Sequence, residues 1–181
     1  MPMARRFTRW CVFVAAFAGA AASHVRAQAL PLEYQVKAAY LFNFLKFVEW
    51  PAADSQGPLT VCVARPNPFG TALADIVRGE SISGRPIVVR VIGEPDATCS
   101  TVFVPHGASV AAYLAAAHDA PVLTVGEDPR FLEQGGIINL VIAGGNVRFE
   151  INQQAATQVG LTISSRLLRL SQPPPGGAAA P

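Results

Sequence analysis

The stretch "STVFVPHGASVAAYLAAAHDAPVLTV", residues 100–125, decides the fold. Its two continuous apolar runs, at 101–105 and 121–125, are typical of strands that are buried on both faces. The alanine-rich segment between them, at about 109–118, predicts a helix. An alternation of strand and helix favours a parallel sheet covered by helices, so the stretch predicts an α/β protein.

The rest of the chain extends this pattern. Further strands are predicted at 59–65 and 86–92, and short helices within 69–78 and near 129–134, the latter capped by Asp128. The run "IINLVIAGGNVRFEIN", residues 137–152, has two strand-like halves around Gly144, Gly145 and Asn146, which predicts an antiparallel hairpin that closes the sheet. We therefore expect a single α/β domain with a mostly parallel sheet, helices on both faces and a C-terminal antiparallel hairpin.

Both ends of the chain differ from this domain. Residues 1–27 have a basic start, an apolar run and small residues near their end, the layout of a cleavable signal peptide that directs export to the periplasm. The domain is expected over 30–171, and the Pro/Gly/Ala-rich tail 172–181 is expected to be disordered.

Cleavage changes the charge of the chain. Four of the 14 basic residues lie in 1–27 and none of the 12 acidic residues does, so 10 basic and 12 acidic residues remain and the net charge becomes −2. The remaining sequence has no Lys/Arg cluster of the kind that binds nucleic acid. The composition therefore gives no support to a nucleic-acid partner.

Two cysteines, Cys62 and Cys99, remain after cleavage removes Cys11. Each lies on or beside a predicted strand, and in an oxidising compartment the pair can form a disulfide that stabilises the fold by roughly 4 kcal/mol. The alternative is two buried free thiols that pack as small apolar side chains.

The segment "VKAAYLFNFLKFVEWP", residues 36–51, predicts a helix that Pro51 stops. Its apolar stripe is expected to contain Val36, Tyr40, Phe44, Phe47 and Val48. A polar side, with Lys46 and Glu49, interrupts the apolar run too often for a membrane anchor.

Some aromatic residues of this helix do not fit the stripe. Phe42 falls among the polar residues, and Trp50 lies next to Glu49. Exposed aromatic side chains beside Lys46 and Glu49 are suited to a protein interface. The alternative is that Phe42 packs against another helix or across a dimer interface.

No motif for nucleotide binding, metal binding or nucleophilic catalysis is present, so the sequence predicts no cofactor, no metal and no enzymatic activity. His106 and Glu127 follow predicted strand ends, where ligands bind in open α/β sheets. Together with Arg65 they could form the pocket of a small-molecule binding protein, which is the main alternative function. A hydrolase with an unrecognised site is a weaker one.

Three segments together resemble the YfiR-type periplasmic proteins: residues 36–51, "SGRPIVVRVI" at 83–92, and "GGIINLVIAGGNVRFEINQQAATQVGLTISSRLLRLS" at 135–171. The resemblance implies a regulator that binds and represses the periplasmic part of an inner-membrane diguanylate cyclase. Such proteins tune cyclic di-GMP signalling and biofilm formation in response to envelope or redox state. It also implies a homodimer, sequestration by an outer-membrane lipoprotein, and a disulfide at the positions of Cys62 and Cys99.

The family motif passes through Arg166, which lies three positions before Arg169. On a helix, two guanidinium groups at this spacing can reach one acidic partner. The alternative is a solvated helix face. The predicted partner-binding residues are therefore Phe42, Lys46, Glu49, Trp50, Arg166 and Arg169.

Overall fold

A computed structural model describes residues 30–51 and 57–173. The predicted signal peptide and residues 174–181 of the predicted tail lie outside the described residues. The helices are α1 (Leu32–Leu45), α2 (Ala72–Val77), α3 (Val110–Ala117), α4 (Gln153–Gln158) and α5 (Ser165–Leu168). The strands are β1 (Val48–Glu49), β2 (Leu59–Ala64), β3 (Ser81–Ile82), β4 (Arg85–Ile92), β5 (Thr101–Val104), β6 (Leu123–Gly126), β7 (Ile138–Ala143), β8 (Asn146–Ile151) and β9 (Thr162–Ile163).

Seven strands form one sheet in the order β3-β4-β2-β5-β6-β7-β8. The five central strands are parallel to one another: β4, β2, β5, β6 and β7. The edge strands β3 and β8 are antiparallel to their neighbours. The prediction of a mixed α/β domain with a mostly parallel sheet is confirmed. A separate antiparallel pair joins β1 to β9.

Alternate side chains of the central strands enter two buried clusters. In β2, Val61 and Val63 belong to a large cluster with α1 and α2, whereas Cys62 and Ala64 belong to a smaller cluster with Tyr113 of α3. A strand with both faces in a core is apolar at nearly every position. This is why β2 reads "LTVCVA".

The predicted helix at 36–51 is wrong in its end, whereas its predicted apolar stripe is partly confirmed, because Phe44 and Val48 are buried. Helix α1 stops at Leu45, and Val48 and Glu49 instead pair with Ile163 and Thr162. Trp50 precedes a proline, a position that disfavours helical backbone, and strand β9 supplies an extended partner. The fully buried positions of α1 include Lys37, Leu41 and Phe44, while Val36 and Tyr40 are only half-buried.

The helix predicted near 129–134 is also wrong, because the structure has consecutive turns there. Asp128 Oδ1 accepts a hydrogen bond from the Arg130 N–H at 2.8 Å, so the capping role expected of Asp128 is retained within a turn. These turns place the Phe131 ring between Gly126 and Gly136, where a Cβ on either glycine would overlap it. The turns thus serve to insert one aromatic ring into the smaller cluster.

At the C-terminal end, Ser164 caps α5 by accepting a hydrogen bond from the Leu167 N–H at 3.3 Å. The predicted break at Gly160 separates α4 from the β9 strand. Gln172, the first residue of the predicted tail, donates its N–H to the Phe149 carbonyl oxygen at 2.8 Å. The described chain therefore stays attached to the sheet up to that residue.

Candidate functional site

One candidate surface, here called the α1-end patch, consists of Phe42, Lys46, Phe47, Glu49, Trp50 and Arg166. The Lys46 ammonium lies 3.8 Å from the centroid of the Phe42 ring. The Arg166 guanidinium carbon lies 5.7 Å from the centroid of the Phe47 ring. Cations at these distances are held over aromatic faces, so the patch presents charge and aromatic surface together.

The β1–β9 pair brings the two sequence segments of this patch together. The Ser164 N–H donates to the Phe47 carbonyl oxygen at 2.9 Å, next to the pairing of Glu49 with Thr162. Residues about 120 positions apart thereby become neighbours. Phe42 is half-buried rather than fully exposed, and it packs against the large cluster.

Trp50 is anchored at the edge of the patch. Its indole N–H donates to the Ser100 carbonyl oxygen at 3.1 Å, and its ring packs against the large cluster. Arg169 is exposed, and its guanidinium lies 3.5 Å from the Ser165 hydroxyl. Arg166 therefore contacts Phe47 while Arg169 contacts its own helix. The role of all six predicted residues in partner binding stays a prediction.

The Cys62–Cys99 disulfide is present, with the two Cα atoms 5.8 Å apart. It joins Cys62 of β2 to Cys99. The next residue, Ser100, accepts the hydrogen bond from the Trp50 indole through its carbonyl oxygen. Both cysteines are at least 97% buried, with exposures of 0% and 3%. The bridge is therefore an internal crosslink beside the patch.

A second candidate site is a cleft at the carboxyl ends of β5 and β6, here called the β6-end cleft. It contains His106 and Glu127, and the His106 N–H donates to Glu127 Oε1 at 2.7 Å. Helix α1 contributes Glu33, Tyr34 and Lys37. Arg65, the third residue of the predicted pocket, is exposed and is not part of the cleft lining.

Glu127 is the centre of a buried ion pair. Lys37 Nζ lies 2.5 Å from Glu127 Oε2 and 2.5 Å from Glu33 Oε1, and the side chains of Lys37 and Glu127 are each only 4% exposed. Burial acts to lower the pKa of Lys37, but the hydrogen bonds to Glu127 and Glu33 outweigh it and raise that pKa above its ordinary value. The ammonium group is thus held charged.

Tyr34 completes this network. Its hydroxyl donates to Glu127 Oε1 at 3.2 Å. Burial, followed by the nearby charge of Glu127, raises the pKa of the Tyr34 hydroxyl. The sequence analysis did not identify Tyr34 or Lys37 as site residues. The available signal was a lysine four positions before Leu41, on the face of α1 that is buried.

The described residues were also searched for metal sites and membrane spans. Among residues 30–51 and 57–173, no group of three or more His, Cys, Asp or Glu side chains could hold a metal ion. In the same part of the chain, no helix has the length and apolar character needed to cross a bilayer.

Residues 34–172 match the model of the family described as YfiR/HmsC-like. The chain belongs to this family. This match agrees with the family resemblance found in the sequence.

A search of curated proteins found no match. Among solved structures, the chain is similar to a conserved domain protein from Vibrio cholerae O1 biovar El Tor, with a TM-score of 0.50 and 13% identity. The similarity covers 77% of this chain and 59% of that chain, so this chain spans less than two thirds of the relative. At this identity the likeness shows the α/β fold alone.

Proposed function

We propose that the chain is a periplasmic repressor that binds the periplasmic part of an inner-membrane diguanylate cyclase and holds the enzyme inactive. The observation that carries this proposal is the family match over residues 34–172, which takes in almost all of the described chain. The signal peptide expected at 1–27 would deliver the chain to the compartment where such a partner is accessible.

The α1-end patch supports the proposal as the surface that contacts the cyclase. Its aromatic side chains are partly exposed and its Lys46 and Arg166 are exposed, the combination of aromatic and basic surface that is typical of protein interfaces. Hydrogen bonds and the β1–β9 pair hold Phe47 and Trp50 in place before any partner arrives. A surface that is ordered in advance loses less conformational entropy on binding.

The test is calorimetric titration of residues 28–181 with the periplasmic domain of a cyclase from the same cell. We expect binding by the wild-type chain, and a loss of at least about tenfold in affinity in a variant with Lys46→Glu and Arg166→Glu. Arg78→Glu is the control, because Arg78 is also exposed but lies outside the patch and pairs with Asp75 on α2. If the folded wild-type chain does not bind, the repressor proposal is wrong; if the double variant binds like wild type, the patch is not the contact surface.

The response to redox state is tested with the same titration. A Cys62→Ala, Cys99→Ala variant represents the reduced chain without requiring a reductant to reach buried sulfur atoms. Weaker binding by this variant at a temperature where it remains folded supports a redox-gated repressor. Equal binding assigns the disulfide to stability alone.

Two assembly proposals accompany the repressor. The chain forms a homodimer, which sedimentation velocity would detect as a species of twice the monomer mass. An outer-membrane lipoprotein sequesters the chain, so the soluble part of such a lipoprotein should displace the cyclase domain in a competition titration. A chain that sediments only as a monomer contradicts the first, and the absence of competition contradicts the second.

A further inference from the structure

The β6-end cleft exists because neighbouring strands end at different heights. Strand β6 stops at Gly126, whose partner in β7 is Asn139. The β7–β8 hairpin continues for four more residues, 140–143, which have no paired residue in β6. The N-terminal half of α1 lies on the other side of this step, and the two enclose a cleft of about 550 Å³. Cavities of this size accommodate small organic ligands.

Two side-chain donors of the cleft are already used. The Lys37 ammonium is bound by Glu127 and Glu33, and the Tyr34 hydroxyl donates to Glu127, as does the backbone N–H of His106. Lys37 is the only permanently charged cation among the lining residues, against three glutamates, Glu33, Glu127 and Glu150. An anionic ligand would therefore meet excess negative charge, and the donors of Lys37 and Tyr34 are already taken.

The hydrogen-bond acceptors, in contrast, are in surplus. Glu150 lines the cleft and takes part in none of the salt bridges of the described residues. Burial raises the pKa of the Glu150 carboxyl, as expected of a carboxylate that lacks a compensating cation. Asn139 is the cross-strand partner of Glu150, and its side chain acts to lower the pKa of the Glu150 carboxyl.

Asn139 is the second, independent sign of a missing ligand. The residue lines the cleft at the last position paired with β6 and is only 1% exposed. Its Oδ1 has no hydrogen-bond partner among the described residues. Leaving a buried acceptor unpaired is unfavourable, and native structures contain few such atoms.

The other walls of the cleft are apolar. Leu140, Ile142 and Pro129 line it, and the Ile142 side chain is 54% exposed. An exposed isoleucine next to two carboxylates is suited to a ligand that has both an aliphatic part and a positively charged end.

We propose that the β6-end cleft binds an organic cation, namely an ammonium or guanidinium group on a short aliphatic chain. The cationic group lies against the carboxylates of Glu150 and Glu33, next to the buried acceptor of Asn139. The aliphatic part packs on Ile142 and Leu140. Such a group occurs in free diamines and in the lysine and arginine side chains of a polypeptide. This site is distinct from the α1-end patch and does not depend on the cyclase proposal.

The test is calorimetric titration of residues 28–181 with cadaverine and agmatine, and separately with a short capped peptide that carries one central arginine between valines. Neutral 1,5-pentanediol and anionic glutarate serve as shape-matched controls. We expect the cations to bind at concentrations up to about 10 mM and the two controls not to bind. Binding of the free amines assigns the source as a small molecule, whereas binding of the peptide alone assigns it as a polypeptide.

Glu150→Gln and Glu33→Gln should each weaken binding of the cation by about tenfold or more, because each removes a charged hydrogen-bond acceptor. Glu133→Gln, an exposed glutamate outside the cleft lining, removes the same charge and should leave the affinity unchanged. The proposal is overturned if none of the three cationic probes binds, if glutarate binds as well as cadaverine, or if Glu133→Gln weakens binding as much as Glu150→Gln. Because Glu150 and Glu33 are both partly or largely exposed, these variants are expected to fold.

Discussion

Replacing Glu127 with glutamine should destabilise the fold more than any other single charge removal in the β6-end cleft. The substitution keeps the shape of the side chain and an oxygen that can accept from the His106 N–H. It removes the charge that lies 2.5 Å from the Lys37 ammonium, in a pair whose side chains are each 4% exposed. The ammonium would then be buried with only the more exposed Glu33 as its partner.

The magnitude follows from this geometry. Breaking a buried ion pair by removing one partner costs about 3–5 kcal/mol, because the remaining charge stays out of water without compensation. Glu33 remains within 2.5 Å of the Lys37 ammonium, so we expect the lower end of that range, about 3 kcal/mol. For a domain of this size that loss corresponds to a fall of roughly 10 °C in Tm.

The assay is urea unfolding of residues 28–181, followed by the fluorescence of Trp50. Glu33→Gln is the control, and since its side chain is 42% exposed its loss should cost less than about 1 kcal/mol. A Lys37→Met, Glu127→Gln double variant should lose clearly less free energy of unfolding than the sum of the two single variants. Additive losses, or a Glu127→Gln cost equal to that of Glu33→Gln, would refute the argument that this pair holds α1 to the sheet.

The difference in free energy of unfolding between the wild type and Glu127→Gln should depend on pH in a defined direction. The pKa of Lys37 is raised above 10.5 in the folded chain, so its stabilising effect is fully present below that pH and is lost as the pH rises through the higher folded value. The gap in stability between the wild type and Glu127→Gln should therefore be constant from pH 7 to 9 and shrink only in more alkaline solution.

Three further outcomes are expected. Replacing both Cys62 and Cys99 with alanine should lower the free energy of unfolding by roughly 4 kcal/mol. The native disulfide should resist dithiothreitol because both residues are buried. Rapid alkylation of the native protein after mild reduction, detected by mass spectrometry, would contradict this expectation. Gly126→Ala should lower the free energy of unfolding in urea by about 1–3 kcal/mol, because the added Cβ would overlap the Phe131 ring. Gly93→Ala is the control and should cost much less, because its Cβ would make only ordinary contacts. Equal costs would argue against the overlap. Glu150→Gln should raise the free energy of unfolding at pH 7, because burial raises the pKa of the Glu150 carboxyl in the folded chain. This gain should vanish below about pH 4.5, where the carboxyl is protonated in both the folded and the unfolded chain. A gain that persists in acid would contradict burial as its cause.

The parallel sheet could be predicted from the sequence because its central strands are buried on both faces, so that runs such as residues 101–104 and 121–125 contain no charged residue and only one threonine each. The end of α1 could not, because Val48 and Glu49 take their structure from a strand that lies more than 110 positions later. The segment has helical spacing up to Val48, and the pairing with β9, together with the proline at 51, decides against it. Local pattern determines an element only where no distant partner competes for its backbone.

The same distinction, between local pattern and distant contacts, decides which residues of the candidate sites could be predicted. His106 and Glu127 could be located because both follow strand ends, and the carboxyl ends of parallel strands lie together. Lys37 is 90 positions from Glu127, and the sequence contains nothing that links them beyond a lysine on an otherwise apolar helix face. Asn139 lies inside the apolar run "IINLVIA", where a single amide is unremarkable until the strand order places it at the end of β6.

Helix α1 supports both candidate sites and is fixed at each end. The Lys37–Glu127 pair attaches its N-terminal half to β6, and the β1–β9 pair attaches the segment that follows its C-terminal end. Fourteen helical residues span about 21 Å, so Glu33 and Lys46 are far enough apart to face different ligands. Because neither end is free to move without breaking a buried ion pair or a strand pair, the helix acts as a rigid support. Partner binding at the α1-end patch, as proposed above, would therefore use side chains that are already in position, which reduces the conformational entropy lost on binding.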